Sequence, residues 1–406
     1  MTELYDAIVV GAGLAGLRCA QVLDGAGKSV LLLERSNHLG GRLHSFQIDE
    51  FTLDEGFQLI NPSYPELQAT GVLRDFDLRV FPASLRFQSG DRSFSLSDPR
   101  QSPLDALQAV LGRVAPVTDF VALGRLFARC ALVPVTRLLR QPDCTTREGF
   151  RNAGVSERTI DVIITPFLKG TLLDNNLDTS WRYTQLLLRS FVRGRPGTHP
   201  EGIEALPKAM ASRLQSTTIR TGEEVQSVRE GEVVTSLASY KARAVVVASN
   251  GVDAAALTPM TPPAFRSQTT WWWSTPRVNK GDVLRLELTR NFISSALDIS
   301  SVAPERSPEG RSLIATPANG TFDASYDEGV RLDVARLYQL ESSDVALVSR
   351  TVVQHALPVL KTPLQLNEHP VRNVVVFAGD YLQTPSIQGA LVSGRRAANA
   401  ALLLLS

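Results

Sequence analysis

A glycine-rich turn near the start of the chain constrains its fold more than any other feature. Residues 6–10 form an apolar run typical of a buried parallel strand, and Gly11, Gly13 and Gly16 follow at dinucleotide-binding spacing. Gly11 permits a tight turn, Gly13 lets the backbone approach a pyrophosphate, and Gly16 lets the next helix pack closely on the strand. The amides at the start of that helix favour a phosphate charge. The predicted cradle consists of Gly11, Ala12, Gly13, Leu14, Ala15 and Gly16.

A second apolar run and an acid complete this unit. Residues 29–33 predict another buried strand, and Glu34 stands at its end, where folds of this kind hold a ribose hydroxyl. The adjacent Arg35 is compatible with a 2′-phosphate, but the acid favours an unphosphorylated ribose. The order strand, helix, strand and acid within roughly thirty residues predicts dinucleotide binding rather than an ordinary glycine loop.

Two later segments have no required counterpart in nicotinamide-binding domains. Gly40, Gly41 and Arg42 can share the phosphates of an extended ligand, because a guanidinium fork matches phosphate oxygens in pairs. Taken alone, these three residues are better explained by a surface turn and a solvated charge. The segment 54–58, with Gly56, Phe57 and Gln58, follows shortly afterwards.

The end of the chain carries a matching acidic turn. Residues 373–377 predict one more buried strand, and Gly379 and Asp380 place a carboxylate on the turn that follows it. Pro385 and Ser386 are residue types that begin helices, so a helix is predicted from residue 387 to residue 395. Its N-terminal amides would face a partial negative charge. Asp380 alone is explained equally well as a helix cap.

Together these segments resemble the flavin-containing amine oxidoreductase family, which includes monoamine and polyamine oxidases, protoporphyrinogen oxidase and phytoene desaturases. The two ends match specifically, and residues 200–207 and 244–249 match in pattern and order. The resemblance implies an α/β fold, with a Rossmann-like FAD-binding domain of the glutathione reductase type and a discontinuous α+β substrate domain. It implies FAD as the cofactor, bound noncovalently because no cysteine falls where some members tether their flavin.

The resemblance also implies roles for particular residues. The helix start would face the N1/C2 edge of the isoalloxazine ring, Asp380 would hold ribityl hydroxyls, and residues 56–58 would lie beside the ring. The backbone of Val225 would pair with the adenine, although a plain structural strand explains Val225 equally well. The helix start consists of Ser386, Ile387 and Gln388.

The sequence gives fewer indications about the residues that bind the substrate. Phe57 and Gln58 are the best substrate candidates, since the resemblance places them by the ring. Trp271, Trp272 and Trp273 are weaker candidates, because packing in a sheet explains each of them better than a flat apolar substrate does. The family's oxidases use a lysine near the flavin, and Lys280 is a weak counterpart, as is Gln58 for any catalytic role. Serine at position 386 and glutamine at position 388 depart from the oxidases' aromatic and acidic residues.

Composition excludes several other classes. The chain has 406 residues and a net charge of +1, without a basic block, so nucleic acid is not an expected partner. Cys19, Cys130 and Cys144 lack the spacing of a metal site or a disulfide framework, which favours a reducing compartment. No run of about twenty apolar residues predicts a transmembrane span. A cytoplasmic location is expected, with the oligomeric state open.

The nucleotide-binding segments are far apart, so the domains are predicted to be discontinuous. The FAD-binding domain is expected to comprise residues 1–78, 195–257 and 365–406. The substrate domain is expected to comprise residues 79–194 and 258–364. Within it, residues 79–97 predict a hairpin, residues 103–190 predict helices and residues 283–288 predict a strand.

The leading hypothesis is an FAD-dependent oxidoreductase that takes a hydride from a carbon–hydrogen bond of an apolar or amine-bearing small molecule. One alternative is a peripheral membrane isoprenoid desaturase or porphyrinogen oxidase, on the basis of apolar residues within 123–139 and 402–405. Core packing explains both segments more simply. A further alternative is a binding protein that contains FAD without turning over a substrate.

Overall fold

A computed structural model of the protein describes residues 4–89, 92–97, 115–278, 283–288, 292–366, 371–372 and 375–406. A mixed sheet of eight strands forms around the first predicted strand. Leu4–Val10 pairs in parallel with Val30–Leu33 on one side and with Ser239–Val247 on the other, and all three are mostly apolar and buried. The other strands of this sheet are Thr218–Arg220, Val225–Arg229, Glu232–Thr235, Val371–Arg372 and Val375–Phe377.

The parallel strands end at one edge of this sheet. The amide of Gly11 donates to the carbonyl of Leu33, and the amide of Ala248 donates to the carbonyl of Val10. The amide of Ala378 continues the series by donating to the carbonyl of Val247. The turns that follow the strands therefore converge at the carboxyl edge, the place where open α/β sheets bind ligands.

Helices from both ends of the chain cover one face of the sheet. Leu14–Gly25 packs against Ile387–Leu405, and Ala205–Ala211 packs beside them. Gly394 permits this close approach, since a Cβ atom there would lie 2.2 Å from the carbonyl oxygen of Ala15. Both terminal helices are predicted from the sequence, and the second extends ten residues beyond the predicted end at 395. Pro65–Ala69 and Gly251–Leu257 are shorter helices in this half of the molecule.

A second, antiparallel sheet lies in the other half. Its strands are ordered Leu297–Asp298, Arg311–Asn319, Phe265–Pro276 and Ala346–Pro358, and helix Asp327–Tyr338 packs on it. A smaller sheet joins Leu284–Glu287 in parallel to Ser84–Ser89, which pairs with Arg92–Ser97. A further hairpin is formed by Ser45–Ile48 and Phe51–Asp54.

Helices from residues 117 to 193 form a separate layer against the smaller sheet. They include a π-helical turn, Ile160–Ile164, between two helical segments. Within the described ranges, no helix is both long and apolar enough to cross a membrane. The helices are Val117–Leu132, Val135–Leu139, Thr146–Asn152, Glu157–Thr159, Thr165–Leu172 and Trp181–Arg193.

The hairpin predicted within residues 79–97 is confirmed for Ser84–Ser89 and Arg92–Ser97, but its first strand begins later than predicted. Arg79–Val80 pairs with Gly197–Thr198, and the hairpin begins only at Ser84. The sequence pattern could not separate these two strands, because their alternation is the same and their partners lie far apart along the chain. Residues 98–114, which include the start of the predicted helical region, lie outside the described residues. The division into two discontinuous domains stays a prediction.

Candidate functional site

A single large cavity runs from the carboxyl edge of the parallel sheet into the helical layer. Its volume is about 1670 Å³. Small-molecule pockets usually occupy about 300–1,000 Å³, so this cavity has room for more than one ligand. The predicted site residues on its wall are Gly11, Gly13, Leu14, Ala15, Glu34, Arg35, Gly40, Gly41, Arg42, Phe57, Gln58, Val225, Gly379, Asp380, Ser386 and Ile387.

Two glycine turns form one end of the cavity. Gly13 and Gly40 lie side by side in a parallel bridge, and the amide of Gly40 donates to the carbonyl of Ala12 at 2.9 Å. Gly11 has a φ of +103° and Gly40 a φ of +110°, which side chains rarely adopt. A Cβ atom on Gly40 would also lie 2.4 Å from the carbonyl oxygen of Leu43. Glycine is therefore required for the two turns to meet at the cavity wall.

Glu34 is held at the end of its strand by both carboxylate oxygens. Oε2 accepts from the amide of Ala12 at 2.8 Å, and Oε1 accepts from the amide and hydroxyl of Ser36. The neighbouring Arg35 pairs with Asp253, which also lines the cavity. The Glu34 carboxylate thus stays fixed on the cavity wall beside the glycine turns, and the arginine charge is paired with a different carboxylate.

An ion pair joins the opening and closing segments of the chain. Nη2 of Arg42 lies 2.6 Å from Oδ1 of Asp380, and Nη1 of Arg42 donates to the carbonyl of Ala356 at 2.8 Å. Asp380 is buried, and Arg42 is partly exposed. The two residues are 338 positions apart in sequence, so only the fold brings them together.

The helix Ile387–Leu405 begins at the cavity wall. Ser386 caps it, since its hydroxyl accepts from the amide of Gly389 at 3.0 Å, as the sequence predicts. The hydroxyl of Tyr183 donates to the carbonyl of Pro385 at 2.9 Å and fixes the entry into the helix. Burial raises the pKa of Tyr183, so its hydroxyl keeps its proton at neutral pH. Tyr183 also lines the cavity, and no sequence motif predicts its bond to Pro385, because the two residues are 202 positions apart.

Gln388 does not line the cavity. Its Oε1 accepts from the amide of Glu66 at 3.0 Å. Glu66 in turn pairs with Arg18 and Arg395, so this group ties three helices together. The second residue of the helix faces the protein interior because successive helical side chains point about 100° apart. Its side chain therefore makes a structural contact, and a contact of this residue with the cofactor stays a prediction.

The segment 54–58 places three residues, Glu55, Phe57 and Gln58, on the cavity wall. The amide of Phe57 donates to Oε1 of Gln268, which also lines the cavity. Oε1 of Gln58 is buried and has no hydrogen-bond partner in the described part of the chain. Gly56 lies behind the wall. A buried acceptor without a partner indicates a missing donor, such as a bound ligand.

Asp54 fixes this segment through hydrogen bonds and an ion pair. Its Oδ1 accepts from the hydroxyl of Ser45 and from the amide of Ile203, and its Oδ2 lies 3.0 Å from Nη2 of Arg306. Arg306 is completely buried and also stacks over the ring of Trp272. No sequence motif singled out Arg306, because its role depends on a partner more than 200 residues away.

The three adjacent tryptophans do not line the cavity. Trp271 and Trp273 pack in a core cluster with Ile314 and Tyr338, while Trp272 faces the opposite side of the strand. All three are buried, and their indole nitrogens donate to Asp327, Asp54 and Thr316. This position corrects their weak assignment as substrate residues, and packing is their role. Lys280, the weak catalytic candidate, lies outside the described residues.

The far end of the cavity is apolar. We call this end the apolar lobe, and its wall comes from three helices and the smaller sheet. The cavity wall contributed by residues 81–192 and 284–317 contains no charged side chain among the described residues. The lobe is lined by Leu85, Leu96, Phe120, Leu123, Phe127, Ile163, Ile164, Phe167, Leu187, Phe191, Leu284 and Leu286.

Lys169 lies close to this lobe in sequence but not on its wall. It is buried in the helix Thr165–Leu172, between Phe167 and Gly170, the residues two before and one after it, which do line the cavity. Burial lowers the pKa of Lys169 to about 8, and the nearby charge of Glu287 opposes this shift.

Known proteins are similar to this chain in sequence and in fold. A family model for flavin containing amine oxidoreductases matches residues 14–402. (S)-6-hydroxynicotine oxidase of Paenarthrobacter nicotinovorans is 60% identical over 42 residues, which are 10% of this chain and 10% of the oxidase. All-trans-retinol 13,14-reductase of Rattus norvegicus is 27% identical over 169 residues, 36% of this chain and 27% of the reductase. A solved oxidoreductase from Methanosarcina mazei has a TM-score of 0.76 at 14% identity, covering 96% of this chain and 98% of that one.

The alignments span only a small part of both curated relatives, so the relatives' activities are not carried over from them. The solved structure shows the fold alone at this identity, and it confirms the predicted α/β fold class. The family model covers nearly the whole chain, and a flavin is the cofactor that this family shares. The chain belongs to the flavin-containing amine oxidoreductase family.

Proposed function

We propose that the protein is an FAD-dependent oxidoreductase that takes a hydride from a carbon–hydrogen bond of an uncharged, apolar small molecule. One observation carries this proposal: the same cavity contains the glycine turns at one end and the apolar lobe at the other. A long dinucleotide laid from Glu34 to the helix start at Ser386 would put its ring at the entrance of the lobe.

The residues of the cavity wall fit FAD. A Cβ atom at Gly13 would meet no protein atom nearer than 4.0 Å, so this position is open on the cavity wall, and Glu34 stands where a ribose is held. Two buried polar atoms on the cavity wall lack partners in the described part of the chain, Nδ1 of His38 near the first turns and Oε1 of Gln58 farther along. A ligand that extends along the cavity from His38 to Gln58 would supply hydrogen-bond partners for both atoms. We propose noncovalent binding.

The chain itself would position the substrate and exclude water. FAD, when bound, would supply the hydride acceptor. The amides at the start of helix Ile387–Leu405 would stabilise negative charge that develops beside them. The apolar lobe would hold the reacting carbon near the helix start and keep water away, and orientation of this kind supplies much of the rate of hydride transfer.

An ammonium substrate is a poorer fit than a neutral one. A buried ammonium group needs a carboxylate partner, because burying an unpaired charge costs more than the roughly 0.5–2 kcal/mol that contact with an aromatic ring returns. The described wall of the apolar lobe provides no carboxylate. We further propose a cytoplasmic location, on the basis of the three unpaired cysteines.

Anaerobic reduction of the bound flavin tests the proposed function. The purified protein is expected to be yellow, and acid precipitation is expected to release FAD into the supernatant. Uncharged apolar compounds are expected to bleach the flavin, whereas putrescine and benzylamine are not. Bleaching by the amines alone would contradict the apolar substrate class. Failure to retain FAD would contradict the function as a whole, and retention without reduction by either class would favour a binding protein.

Replacement of Arg42 is expected to weaken flavin binding. The variant Arg42→Gln removes a donor from the cavity wall and leaves the buried carboxylate of Asp380 without its ion-pair partner. We expect about a tenfold higher dissociation constant for FAD, since Arg42 is partly exposed and the full cost of a buried pair does not apply. Quenching of flavin fluorescence measures this dissociation constant. Arg79→Gln, which removes an exposed pair with Asp77, is the matched control and is expected to change nothing.

A charge inside the lobe is expected to abolish binding of apolar ligands without affecting the flavin. The variant Phe127→Asp places a carboxylate on the lobe wall. Affinity for all-trans-retinol, used as an uncharged fluorescent probe, is expected to fall by at least about tenfold, because the carboxylate or the ligand must stay hydrated. Val121→Asp adds the same charge to an exposed position of the same helix and is the control. Equal retinol affinity of both variants would contradict the role of the lobe.

A further inference from the structure

Gln268 contributes a buried amide to the cavity wall. It lies near the start of strand Phe265–Pro276, the strand that also carries the three tryptophans, and it is only 6% exposed. A side-chain amide has an oxygen that accepts hydrogen bonds and a nitrogen that donates them. Because burial of either atom without a partner is costly, both atoms of this amide are expected to have one.

The oxygen of this amide is paired within the protein. Oε1 of Gln268 accepts from the amide of Phe57 at 3.0 Å. A backbone N–H group can only donate, so this bond fixes which end of the side chain is the oxygen and which is the nitrogen. Nε2 of Gln268 is therefore the end of the side chain that is left to donate.

The nitrogen has no partner in the part of the chain that the structure describes. Nε2 of Gln268 makes no hydrogen bond to any other described residue, and protein atoms do not enclose it. Since the Gln268 side chain borders the cavity, the open side of the amide is the cavity itself. A donor on a fixed, buried side chain is thus directed at whatever fills this space.

This donor belongs to a different sheet from the cofactor candidates. The predicted cofactor residues come from the turns of the parallel sheet, the segment 54–58 and the start of the last helix, whereas Gln268 lies in the antiparallel sheet. The antiparallel sheet and its flanking loop also bring Leu297, Pro317 and Val353 to the cavity wall, and Val353 lies opposite Gln268 on the neighbouring strand. The donor therefore stands where this largely apolar part of the wall meets the segment 54–58.

The surroundings of the donor restrict the group that can meet it. A pure hydrocarbon would exclude water from Nε2 and leave it unpaired, which is unfavourable. A carboxylate would accept the bond but bring a charge, and the described wall of the apolar lobe contains no cation to pair with it. A carbonyl oxygen accepts a hydrogen bond without carrying a charge.

We propose that the substrate is an apolar compound with an uncharged carbonyl group, whose oxygen accepts a hydrogen bond from Nε2 of Gln268. This inference rests on the proposed function, and it narrows the substrate class from apolar molecules in general to apolar ketones, aldehydes, esters and amides. The hydrogen bond fixes the carbonyl end of the substrate beside the segment 54–58, while the apolar remainder enters the lobe. Gln268 is in this way a residue that determines specificity.

A matched pair of ligands tests this proposal on the flavin-loaded protein. 2-Acetylnaphthalene and 2-isopropenylnaphthalene have nearly the same shape, but only the first carries a carbonyl oxygen. The variant Gln268→Met removes the donor, and its dissociation constant for the ketone is expected to rise about tenfold, because the carbonyl is then buried without a partner. The dissociation constant for the hydrocarbon is expected to stay unchanged. Isothermal titration calorimetry measures both constants.

A second variant separates the donor from the bond to Phe57. Gln268→Glu keeps an oxygen for the amide of Phe57 and replaces Nε2 by a second oxygen, so ketone binding is expected to weaken at least as much. Infrared spectroscopy of the bound ketone is expected to show a lower carbonyl stretching frequency in the unaltered protein than in Gln268→Met. Gln354→Met is the matched control, since Gln354 also lines the cavity but is exposed on strand Ala346–Pro358, and it is expected to leave the ratio of the two dissociation constants unchanged.

The ratio of the ketone and hydrocarbon dissociation constants decides the outcome. An unchanged ratio in both Gln268 variants would overturn the proposal. Loss of FAD from these variants at an unchanged ratio would assign the donor to the cofactor and overturn the proposal as well. Ligand binding requires no turnover, so a failure of flavin reduction would contradict the proposed oxidoreductase function and not this hydrogen bond.

Discussion

The variant Gly16→Ala is expected to bind FAD about a hundredfold more weakly than the unaltered protein. A Cβ atom at Gly16 would lie 1.8 Å from the carbonyl oxygen of Gly11 and 3.0 Å from its carbonyl carbon. Both are backbone atoms at the end of the first strand, so helix Leu14–Gly25 must shift away from it. Overpacking of this kind costs about 1–3 kcal/mol or more, and about 1.4 kcal/mol is a factor of ten in affinity.

Titration of the flavin-free protein with FAD measures this effect through quenching of flavin fluorescence. Gly25→Ala makes the same substitution at the other end of the same helix, where a Cβ atom meets no heavy atom within 4 Å. Its affinity for FAD is expected to stay unchanged, because alanine fits there and favours helix. Tight FAD binding by Gly16→Ala would show that the first turn is not the phosphate cradle.

The variant Arg306→Met is expected to lower the free energy of unfolding by about 3–5 kcal/mol, the usual cost of breaking a buried ion pair from one side. Arg306 is completely buried, and its removal leaves the carboxylate of Asp54 buried without its ion-pair partner. The bond from Nε of Arg306 to the carbonyl of Thr52 is lost as well. Denaturation by urea, followed by circular dichroism, measures the difference.

A double variant separates the ion pair from simple packing. Adding Asp54→Asn to Arg306→Met removes the stranded charge, so the double variant is expected to be less destabilised than the sum of the two single variants. Arg331→Met is a control that removes a solvent-accessible pair with Glu328 and a bond to the carbonyl of Ser342, and it is expected to destabilise the protein much less than Arg306→Met. Strict additivity in the double variant would contradict an interaction between Asp54 and Arg306.

The two ends of the site were predictable because each rests on local physics. A glycine with positive φ at position 11 and a serine cap at position 386 depend on a few neighbouring residues, and both have the predicted conformation. In contrast, which part of the protein a helical side chain contacts depends on how the helix packs and not on its neighbours in sequence alone. Gln388 belongs to a correctly predicted helix, yet it contacts Glu66 rather than the cavity.

The middle of the chain was harder to interpret for a related reason. The strand that carries the tryptophans was predicted, but it has a sheet partner on each side and buried clusters on both faces. Nothing in an apolar strand pattern tells which face borders a cavity. The apolar lobe likewise consists of helices and strands that are each ordinary in sequence and acquire their common property only by enclosing the same space.

By itself the sequence determined the glycine turn, the acid after the second strand, the capped final helix and, through them, the family. These features follow from interactions between residues near each other along the chain. Only the tertiary structure decided that Arg42 meets Asp380, that Arg306 neutralises Asp54, and that the cavity continues into an uncharged lobe. The reason is that these contacts join residues more than two hundred positions apart, or elements that do not touch until the sheets and helices have packed.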